Sequence, residues 1–330
     1  MNSLRNIHAP TIGSVPNGVY RPFWSVMIPT YNCANYLAQT LESVLAQDPG
    51  SEYMQIEVID DCSTKDDPEA VVREIGKGRV LFYRQPQNIG ATRNFNTCIQ
   101  RSVGQVVHIL HGDDYVAPGF YNSFEHLINK HPETALFICR VFEVNEQGEI
   151  DNLSTRLVAL ESPNTSPGDI CYQNDIRTPG VVMRRNFYEN WGGFAEILRH
   201  TADWEMWIRG AKRAEALAIN QPLAYYRFFE ANDSSKLMKT GDNLRDHLLL
   251  CDILSNSFDD FDKERFSKRV KSLASNQARY FLHKKDKSAT KNNARLWWEL
   301  LSFKEKLLQP LSIVLKQDYK KLRLILNVVI

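Results

Sequence analysis

The sequence lacks the features that would mark a secreted, membrane-spanning or zinc-binding protein. Its six cysteines stand singly, without a C-x-x-C pair or a regular spacing, so neither a disulfide framework nor a zinc site is predicted. Scattered thiols of this kind are typical of a reduced, cytosolic protein. No run approaches the roughly 18 to 20 apolar residues of a spanning helix, and the N-terminus has no apolar signal-peptide core. We therefore expect a cytoplasmic protein, or one that lies peripherally on the inner face of the cytoplasmic membrane.

The chain also has almost no net charge, +1 over 330 residues, but this total conceals two unlike parts. Residues 1–233 carry 20 Lys and Arg against 28 Asp and Glu, a net charge of −8. Residues 234–330 carry 20 against 11, a net charge of +9. Apolar residues make up 43% of the chain, a globular composition that excludes disordered and collagen-like classes.

Short apolar runs alternate with segments of helical period from position 23 onward. These runs are FWSVMI, QIEVID, RVLFYR and VVHIL. The alternation predicts βα units that feed a mainly parallel sheet, and one of the helices is expected to be capped by Asp67 and to start at Pro68. After Pro132 the pattern favours antiparallel strands and a long loop that reaches about Asp175.

Beyond Ser234 the strand pattern ends and successive amphipathic helices are predicted. We divide the chain into an N-terminal arm at 1–22, an α/β domain at 23–233 and a basic helical region at 234–330. The basic region has three open interpretations: a packing or dimer-forming appendage, a surface that binds anionic lipid, or a site for an acidic macromolecule. Its closing stretch KKLRLILNVVI combines charge with apolar area, as interfacial helices do. No DNA- or RNA-binding motif accompanies the charge, so no nucleic-acid partner is predicted.

Polar residues follow the predicted strands, at the edge where parallel α/β sheets bind ligands. The four strands are followed by PTYN, by Asp60 and Asp61, by residues 88–94, and by HGDD. Carboxylates are costly to leave unpaired in a crevice, so the two Asp pairs require compensation. A divalent cation prefers oxygen ligands and would suit Asp113 or Asp114, while a turn or capping role is the alternative.

Taken in order, six parts of the sequence closely resemble family 2 glycosyltransferases with the GT-A fold, a family widely used in bacterial surface polysaccharide assembly. They are SVMIPTYNCANYLAQTLESVLAQ, IEVIDDCST, NIGATRNFNTCI, ILHGDDYVAPGFY, GGFAEIL with ADWEMWIRGA, and PLAYYR. The match spans about 23–233. It implies a GT-A-like, Rossmann-type, mainly parallel α/β sheet flanked by helices, with 234–330 as a helical C-terminal extension.

The resemblance implies roles at single positions. Residues Pro29, Thr30 and Tyr31 would border the nucleotide base, and Asp60 and Asp61 would accept hydrogen bonds from the base or its ribose. Arg93 would lie near the diphosphate, where a guanidinium can hold phosphate oxygens through two parallel bonds.

Metal and base are likewise implied by the resemblance. Asp113 would be the principal ligand of Mn²⁺ or Mg²⁺, with Asp114 nearby contacting metal or sugar. Asp203, at the start of a helix, would be the general base that takes the proton of the acceptor hydroxyl. The implied enzyme is an inverting, metal-dependent glycosyltransferase that uses a nucleotide diphosphate sugar, preferably a UDP-sugar, and a glycan or lipid-linked acceptor.

Three positions depart from the family pattern: one is Phe229, which falls near where some relatives have a metal-binding His, and the other two keep a non-enzymatic alternative open. His111 stands where many relatives carry the first Asp of the metal motif, and Ala202 where they carry a Glu before the base. A glycan-binding or scaffolding protein descended from such enzymes is therefore one alternative. A sugar nucleotidyltransferase is a weaker one, because PTYNCAN has no glycine for a triphosphate loop. For His111 itself we favour packing or sugar contact over metal binding.

Other polar residues of these motifs have structural explanations. Glu205 is a minor alternative to the predicted base, since two positions along a helix it points elsewhere. Trp204 and Trp207 are expected in the core, because their spacing continues into Ile208. The remaining expectations are that Arg184 and Arg185 are solvated and that Thr92 and Asn94 cap a helix.

Overall fold

The computed structural model describes residues 9–161, 168–229, 232–302 and 305–306. The chain divides into two compact units between Phe228 and Phe229. The sequence-based boundary after residue 233 stays a prediction, as does the separate arm at 1–22. Within the arm, Ile12 is buried and the Pro10 carbonyl accepts a hydrogen bond from the Gly193 amide, so residues from 9 onward lie against the first unit.

A single mixed sheet forms the centre of the first unit. Its strands are β1 (Trp24–Thr30), β2 (Met54–Asp60), β3 (Leu81–Arg84), β4 (Val106–Ile109), β5 (Tyr115–Val116), β6 (Thr134–Val144), β7 (Ile150–Leu153), β8 (Val181–Arg184) and β9 (Glu215–Arg227). They lie in the order β3-β2-β1-β4-β8-β6-β9-β5, and β7 pairs with the C-terminal end of β6. The predicted α/β class is confirmed.

The four strands that the sequence predicted pair in parallel around β1. This strand is buried along its whole length and pairs in parallel with β2 on one side and β4 on the other. Strand β3 extends the parallel set beyond β2. Continuous apolar runs such as Val26–Ile28 are what a strand covered on both faces requires. Consequently the carboxyl ends of β1 to β4 meet at one edge of the sheet.

The other half of the sheet combines antiparallel and parallel pairs. Strand β8 is antiparallel to both β4 and β6, and β7 is antiparallel to β6. Antiparallel pairing after Pro132 was expected, but the long strand β9 runs parallel to β6. Because two antiparallel steps separate β4 from β6, strands β6 and β9 end at the same edge of the sheet as β1 to β4.

Helices cover the sheet of the first unit. They are α1 (Ala34–Leu45), α2 (Pro68–Gly76), α3 (Ala91–Arg101), α4 (Phe120–Lys130), α5 (Arg185–Trp191) and α6 (Ala202–Arg213). Helix α2 begins as predicted, because the Asp67 side chain accepts a hydrogen bond from the Ala70 amide and Pro68 holds the first position. The prediction that Thr92 or Asn94 caps α3 is wrong: the cap position is Gly90, with a φ of 87°.

The second unit is helical in its described part. Its helices are α7 (Asp233–Thr240), α8 (Asp242–Ser257), α9 (Lys263–His283) and α10 (Lys287–Leu300). Leu244, Ala274 and Leu296 bring α8, α9 and α10 together in a small apolar core. The closing stretch KKLRLILNVVI lies outside the described residues. Among the helices that are described, none combines the length and the apolar character needed to cross a membrane.

Candidate active site

The loop after β1 offers one exposed aromatic side chain at the carboxyl edge of the sheet. Pro29 and Thr30 are buried within the strand, and the Thr30 hydroxyl lies 2.8 Å from the Cys33 thiol. Tyr31, by contrast, is 44% exposed. Asn32 then adopts a φ of 52°, and its side-chain oxygen accepts the amides of Thr64 and Lys65. The loops after β1 and β2 are thereby joined, with Tyr31 free to contact a planar ligand.

Asp60, at the end of β2, is buried and accepts hydrogen bonds from three protein donors. Its carboxylate accepts the amide and the hydroxyl of Ser63 and the Nε of Arg84, the last at 2.7 Å. The charge of Asp60 is therefore compensated by an ion pair within the fold, and this carboxylate shapes the loop after β2.

Asp61 links the loop after β2 to the loop before α3. One carboxylate oxygen accepts the Ile89 amide at 2.8 Å and the other accepts the Gly90 amide at 2.9 Å. Through these bonds Asp61 joins the two loops at the carboxyl edge of the sheet. The nucleotide-binding roles assigned to Asp60 and Asp61 stay predictions.

The HGDD segment after β4 brings an imidazole and two carboxylates together. One ligand atom from each of His111, Asp113 and Asp114 lies within 4.8 Å of the other two. Asp114 is 1% exposed, and its Oδ1 accepts the backbone amide of Arg227 at 2.8 Å. Its Oδ2 has no hydrogen-bond partner in the described part of the chain. Burial, and then the neighbouring Asp113, raise the pKa of Asp114 well above its usual value.

Packing fixes the backbone of the HGDD segment. The Thr40 hydroxyl lies 3.1 Å from the Gly112 carbonyl and 2.7 Å from the Asp114 carbonyl. A Cβ atom at Gly112 would approach the Thr30 hydroxyl and the Cys33 sulfur to 3.0 and 3.1 Å. Glycine at this position therefore lets the segment lie directly against the end of β1.

His111 closes one side of the cluster. Its ring stacks on Phe95, with centroids 4.9 Å apart, and its Nδ1 lies 3.7 Å from Asp114 Oδ2. Burial lowers the pKa of His111 to about 4, so the imidazole is neutral at physiological pH. A neutral imidazole and two carboxylates are a donor set that suits a divalent cation such as Mn²⁺, and the unpartnered Asp114 Oδ2 is an acceptor such an ion would occupy.

Arg227, which the sequence reasoning missed, holds this segment from the end of β9. Its side chain is buried, its Nε donates to the Asp113 carbonyl at 3.0 Å, and its Nη1 donates to the carbonyls of Asn145 and Glu146. The guanidinium also lies 4.7 Å from the centroid of the Tyr36 ring. The signal in the sequence was the YR dipeptide that ends a predicted strand.

Asp203 lies in the first turn of α6, as predicted. Its Oδ1 accepts the Trp204 amide at 2.6 Å. Burial raises the pKa of Asp203 from 3.8 to about 6, against the lowering effects of that amide, of Arg177 and of the Asn174 side chain. A carboxylate with a pKa near the working pH is a suitable proton acceptor. Its rival Glu205 is 2% exposed and paired with Arg209 at 2.9 Å, so it is committed to the core.

Tyr226 connects the HGDD cluster with the predicted base. Burial raises the pKa of its phenol, and the carboxylates of Asp114, Asp113 and Asp203 raise it further while Arg177 lowers it. The Arg177 guanidinium lies 5.6 Å from the centroid of the Tyr226 ring. The three carboxylates are therefore all near enough to this phenol to affect its ionisation.

The remaining basic residues differ in their surroundings. Arg93 is 60% exposed at its side chain and pairs with Glu196 at 3.2 Å, so it is accessible to an anionic ligand.

The expectation that Arg184 and Arg185 are solvated is wrong. Arg184 donates to the carbonyls of residues 128, 131 and 134, and Arg185 is 2% exposed and donates to the Ser102 carbonyl. Neither guanidinium is available to phosphate.

Two further polar residues hold neighbouring segments in place. The Thr92 hydroxyl donates to the Leu198 carbonyl and the Asn94 amide donates to the Ile59 carbonyl, so both fasten α3 to its surroundings. Trp204 and Trp207 are buried, as predicted for the core face of α6. The Trp204 indole donates to the Ile170 carbonyl and so anchors the loop that precedes the base.

Comparisons with known proteins identify the class of enzyme to which this fold belongs. The family model "Glycosyl transferase family 2" matches residues 25–190, half of the chain. The chain belongs to glycosyltransferase family 2. An uncharacterized glycosyltransferase of Rickettsia typhi is 34% identical over 232 residues, which cover 66% of this chain and 67% of that protein.

Two characterised proteins extend the comparison. The poly(ribitol-phosphate) beta-N-acetylglucosaminyltransferase TarS of Staphylococcus aureus is 26% identical over 215 residues, 62% of this chain but only 35% of TarS. The crystal structure of TarS 1-349 with UDP-GlcNAc superposes with a TM-score of 0.59 at 18% identity, over 86% of this chain and 83% of that one. A Pyrobaculum calidifontis mannosyltransferase with GDP-Man and Mn²⁺ gives a TM-score of 0.51 at 15% identity, over 96% and 87%. The fold is the GT-A fold of these glycosyltransferases, and the chain is a glycosyltransferase.

Proposed function

We propose that this glycosyltransferase inverts the anomeric carbon of a nucleotide diphosphate sugar while transferring it to a hydroxyl of a glycan or lipid-linked acceptor. We further propose that the transfer depends on Mn²⁺ or Mg²⁺ and serves surface polysaccharide synthesis. A UDP-sugar is the preferred donor, because TarS has been solved with UDP-GlcNAc. The name of TarS, which describes transfer to poly(ribitol-phosphate), supports a polymeric acceptor.

One observation carries the proposal: the acidic cluster and the predicted base lie near the same side chain, Tyr226, whose pKa the carboxylates of Asp113, Asp114 and Asp203 all raise. The amide of the next residue, Arg227, donates to Asp114 Oδ1, and Arg177, which lowers the pKa of Asp203, lies 5.6 Å from the Tyr226 ring. A transferase that displaces a diphosphate needs charge compensation on the leaving-group side and a proton acceptor on the other. This arrangement supplies both.

The nucleotide end of the donor is assigned to the loops after β1 and β2. Tyr31 is exposed there and can stack on a base, while Asp61 holds the Ile89 and Gly90 amides and so joins the two loops at the same edge. Pro29 and Thr30 are buried, so they contribute shape and the position of Tyr31 rather than side-chain contacts. Arg93 is exposed and can approach the diphosphate.

The chemical step is a direct displacement. The acceptor hydroxyl forms a bond to the anomeric carbon, its proton passes to the Asp203 carboxylate, and the carbon–oxygen bond to the diphosphate breaks. The attacking oxygen arrives opposite the leaving group, so the configuration inverts. Asp203 can accept the proton because its pKa of about 6 keeps it ionised at neutral pH. The loop at Asn174 and Arg177 orients this carboxylate.

The cation would be held by Asp113 and Asp114, next to His111. When bound, it supplies Lewis-acid stabilisation of the negative charge that develops on the diphosphate. Arg227 contributes by holding the Asp113 carbonyl and the Asp114 carboxylate in place.

The nucleotidyltransferase alternative is disfavoured, since the β1–α1 connection contains no glycine, and family membership argues against a purely scaffolding protein.

A donor screen tests the proposal. Purified protein is incubated with UDP-, GDP- and dTDP-sugars, with Mn²⁺, with Mg²⁺ and with EDTA, and nucleoside diphosphate release is measured. We expect release from one donor class, highest with a UDP-sugar, and loss of release in EDTA. Absence of both binding and turnover across the whole screen would favour the scaffolding alternative, and equal turnover in EDTA would reject metal dependence.

The basic region 234–330 is proposed to bring the enzyme to its acceptor or to a second copy of itself. Its net charge of +9 lies outside the residues that the family model matches, so donor binding does not account for it. An anionic membrane carrying a lipid-linked acceptor is one partner such a charge would attract. Co-sedimentation with anionic but not neutral liposomes, lost on deletion of 234–330, is expected for the membrane role; a dimer in sedimentation velocity without liposome binding would instead indicate self-association.

A further inference from the structure

The donor set of the HGDD cluster contains one nitrogen, the imidazole of His111. This ring follows β4 directly and is held by stacking on Phe95 at an interplanar angle of 14°. The Nε2 atom is buried and has no hydrogen-bond partner among the described residues, while the Nδ1 atom lies 3.7 Å from Asp114 Oδ2. A buried ring nitrogen without a hydrogen-bond partner calls for an explanation, because buried polar atoms normally have one.

Asp114 presents the same problem next to His111. Its Oδ2 is buried without a hydrogen-bond partner, although its Oδ1 accepts the Arg227 amide. The distance from this Oδ2 to His111 Nδ1 is 3.7 Å, which is too long for a hydrogen bond. Two ligands of one ion, each about 2.0–2.2 Å from it, lie no more than about 4.4 Å apart. The separation of these two atoms therefore suits a shared cation better than a shared proton.

We propose that His111 is a nitrogen ligand of the divalent cation, together with Asp113 and Asp114, and that the site consequently prefers Mn²⁺ to Mg²⁺. The inference rests on the proposed function in that it assumes a cation at the HGDD cluster. It replaces our sequence-based preference for packing at His111. Mg²⁺ is held through oxygen ligands and water, whereas imidazole ligands suit first-row transition metals, so a histidine in the site changes which ion binds best.

The opposing interpretation is that His111 only packs against Phe95. Both interpretations predict a folded protein with the ring stacked on Phe95, so activity or stability alone does not separate them. A direct signature of a metal–nitrogen bond does. Mn²⁺ is paramagnetic, and pulsed electron paramagnetic resonance detects the nuclear spin of a nitrogen bonded to it.

The experiment uses the full chain with Mn²⁺ and UDP. We expect the modulation of a coordinated ¹⁴N nucleus, which changes to the ¹⁵N pattern when the protein carries ¹⁵N-labelled histidine and disappears in His111→Asn. The matched control is His126→Gln, at an exposed histidine outside the cluster, which should retain the ¹⁴N signal. The labelled wild-type protein keeps the test decisive even where a variant fails to fold.

A second variant tests the selectivity. His111→Asp supplies an oxygen ligand in place of nitrogen, so the ratio of Mn²⁺ to Mg²⁺ affinity, measured by titration in the presence of UDP, should fall by about tenfold or more. Mn²⁺ that binds without any nitrogen modulation would overturn the assignment of His111 and leave the proposed function intact. If Mn²⁺ does not bind at all, the inference and the metal dependence both fail, while transfer in EDTA would show that the glycosyltransferase proposal survives.

Discussion

Replacing Asp203 by Asn should have opposite effects on catalysis and on stability: transfer should become slower, and the fold should become more stable at neutral pH. Burial raises the pKa of this carboxyl from 3.8 to about 6, which means that the folded state holds its proton more tightly than the unfolded chain does. The stabilisation from that proton is fully present below pH 4 and is lost as the pH rises through 6. At neutral pH the ionised Asp203 therefore costs the fold up to about 3 kcal/mol, at roughly 1.4 kcal/mol for each pH unit of difference.

Asn cannot ionise but can still accept the Trp204 amide through its side-chain oxygen. We expect Asp203→Asn to unfold at a higher temperature than the wild type at pH 8, by about 2–4 °C for each kcal/mol, and at the same temperature near pH 4. Transfer should fall by about 10²- to 10⁴-fold, the usual contribution of a general base, while UDP affinity is unchanged. Wild-type transfer should itself increase with pH through about 6.

The matched control is Glu205→Gln, two residues further along α6. Glu205 and Arg209 are each 2% exposed and form a buried ion pair, so this variant should lose about 3–5 kcal/mol of stability instead of gaining any. The unfolding temperatures at pH 4 and pH 8 and the transfer rates are compared among the wild type and the two variants. Transfer by Asp203→Asn at the wild-type rate, or no gain in its stability at pH 8, would refute the assignment of the base.

Two further variants, each with a matched control, test the donor side of the site. Arg227→Lys should weaken UDP binding in the presence of Mn²⁺ and lower the free energy of unfolding, because a lysine cannot hold the carbonyls of Asp113 and of residues 145 and 146 together. Titration calorimetry measures the UDP affinity, and thermal unfolding measures the stability. The control is Arg184→Lys, which also loses a guanidinium bound to carbonyls and should lower stability while leaving UDP binding unchanged. If the two variants lose UDP affinity equally, Arg227 has no specific role in binding. Tyr31→Ala should reduce UDP affinity by about tenfold without changing the unfolding temperature, on the scale of base–aromatic stacking, whereas Tyr20→Ala, at another exposed tyrosine, should not alter affinity.

The parallel half of the fold could be predicted because its signals are local. Val26–Ile28 and the other apolar runs are long enough to identify strands buried on both faces, and Asp67 with Pro68 marks a helix start within a few residues. By contrast, β5 and β8 have two and four residues, and their pairing depends on partners far along the chain. The parallel pairing of β9 with β6 is likewise a long-range property that no short segment specifies.

The site residues that follow predicted strands or begin a predicted helix could be predicted from the sequence. The resemblance and the strand pattern together indicated Asp113, Asp114 and Asp203, and the structure brings these carboxylates around Tyr226. Arg227 was missed because its role depends on contacts with carbonyls more than 80 residues away in sequence. Arg185 was misjudged for a similar reason, since pairs of basic residues are usually solvated, and only the fold places this one against Ser102.

The central claim is a metal-dependent transfer that inverts the sugar. It is tested most directly by following the reaction of a UDP-sugar with an acceptor glycan by proton NMR, with Mn²⁺ and with EDTA, and reading the anomeric coupling constant of the first product. The account predicts a product of opposite anomeric configuration to the donor, formed only with the metal. A product that retains the donor's configuration, or one formed equally fast in EDTA, would contradict it.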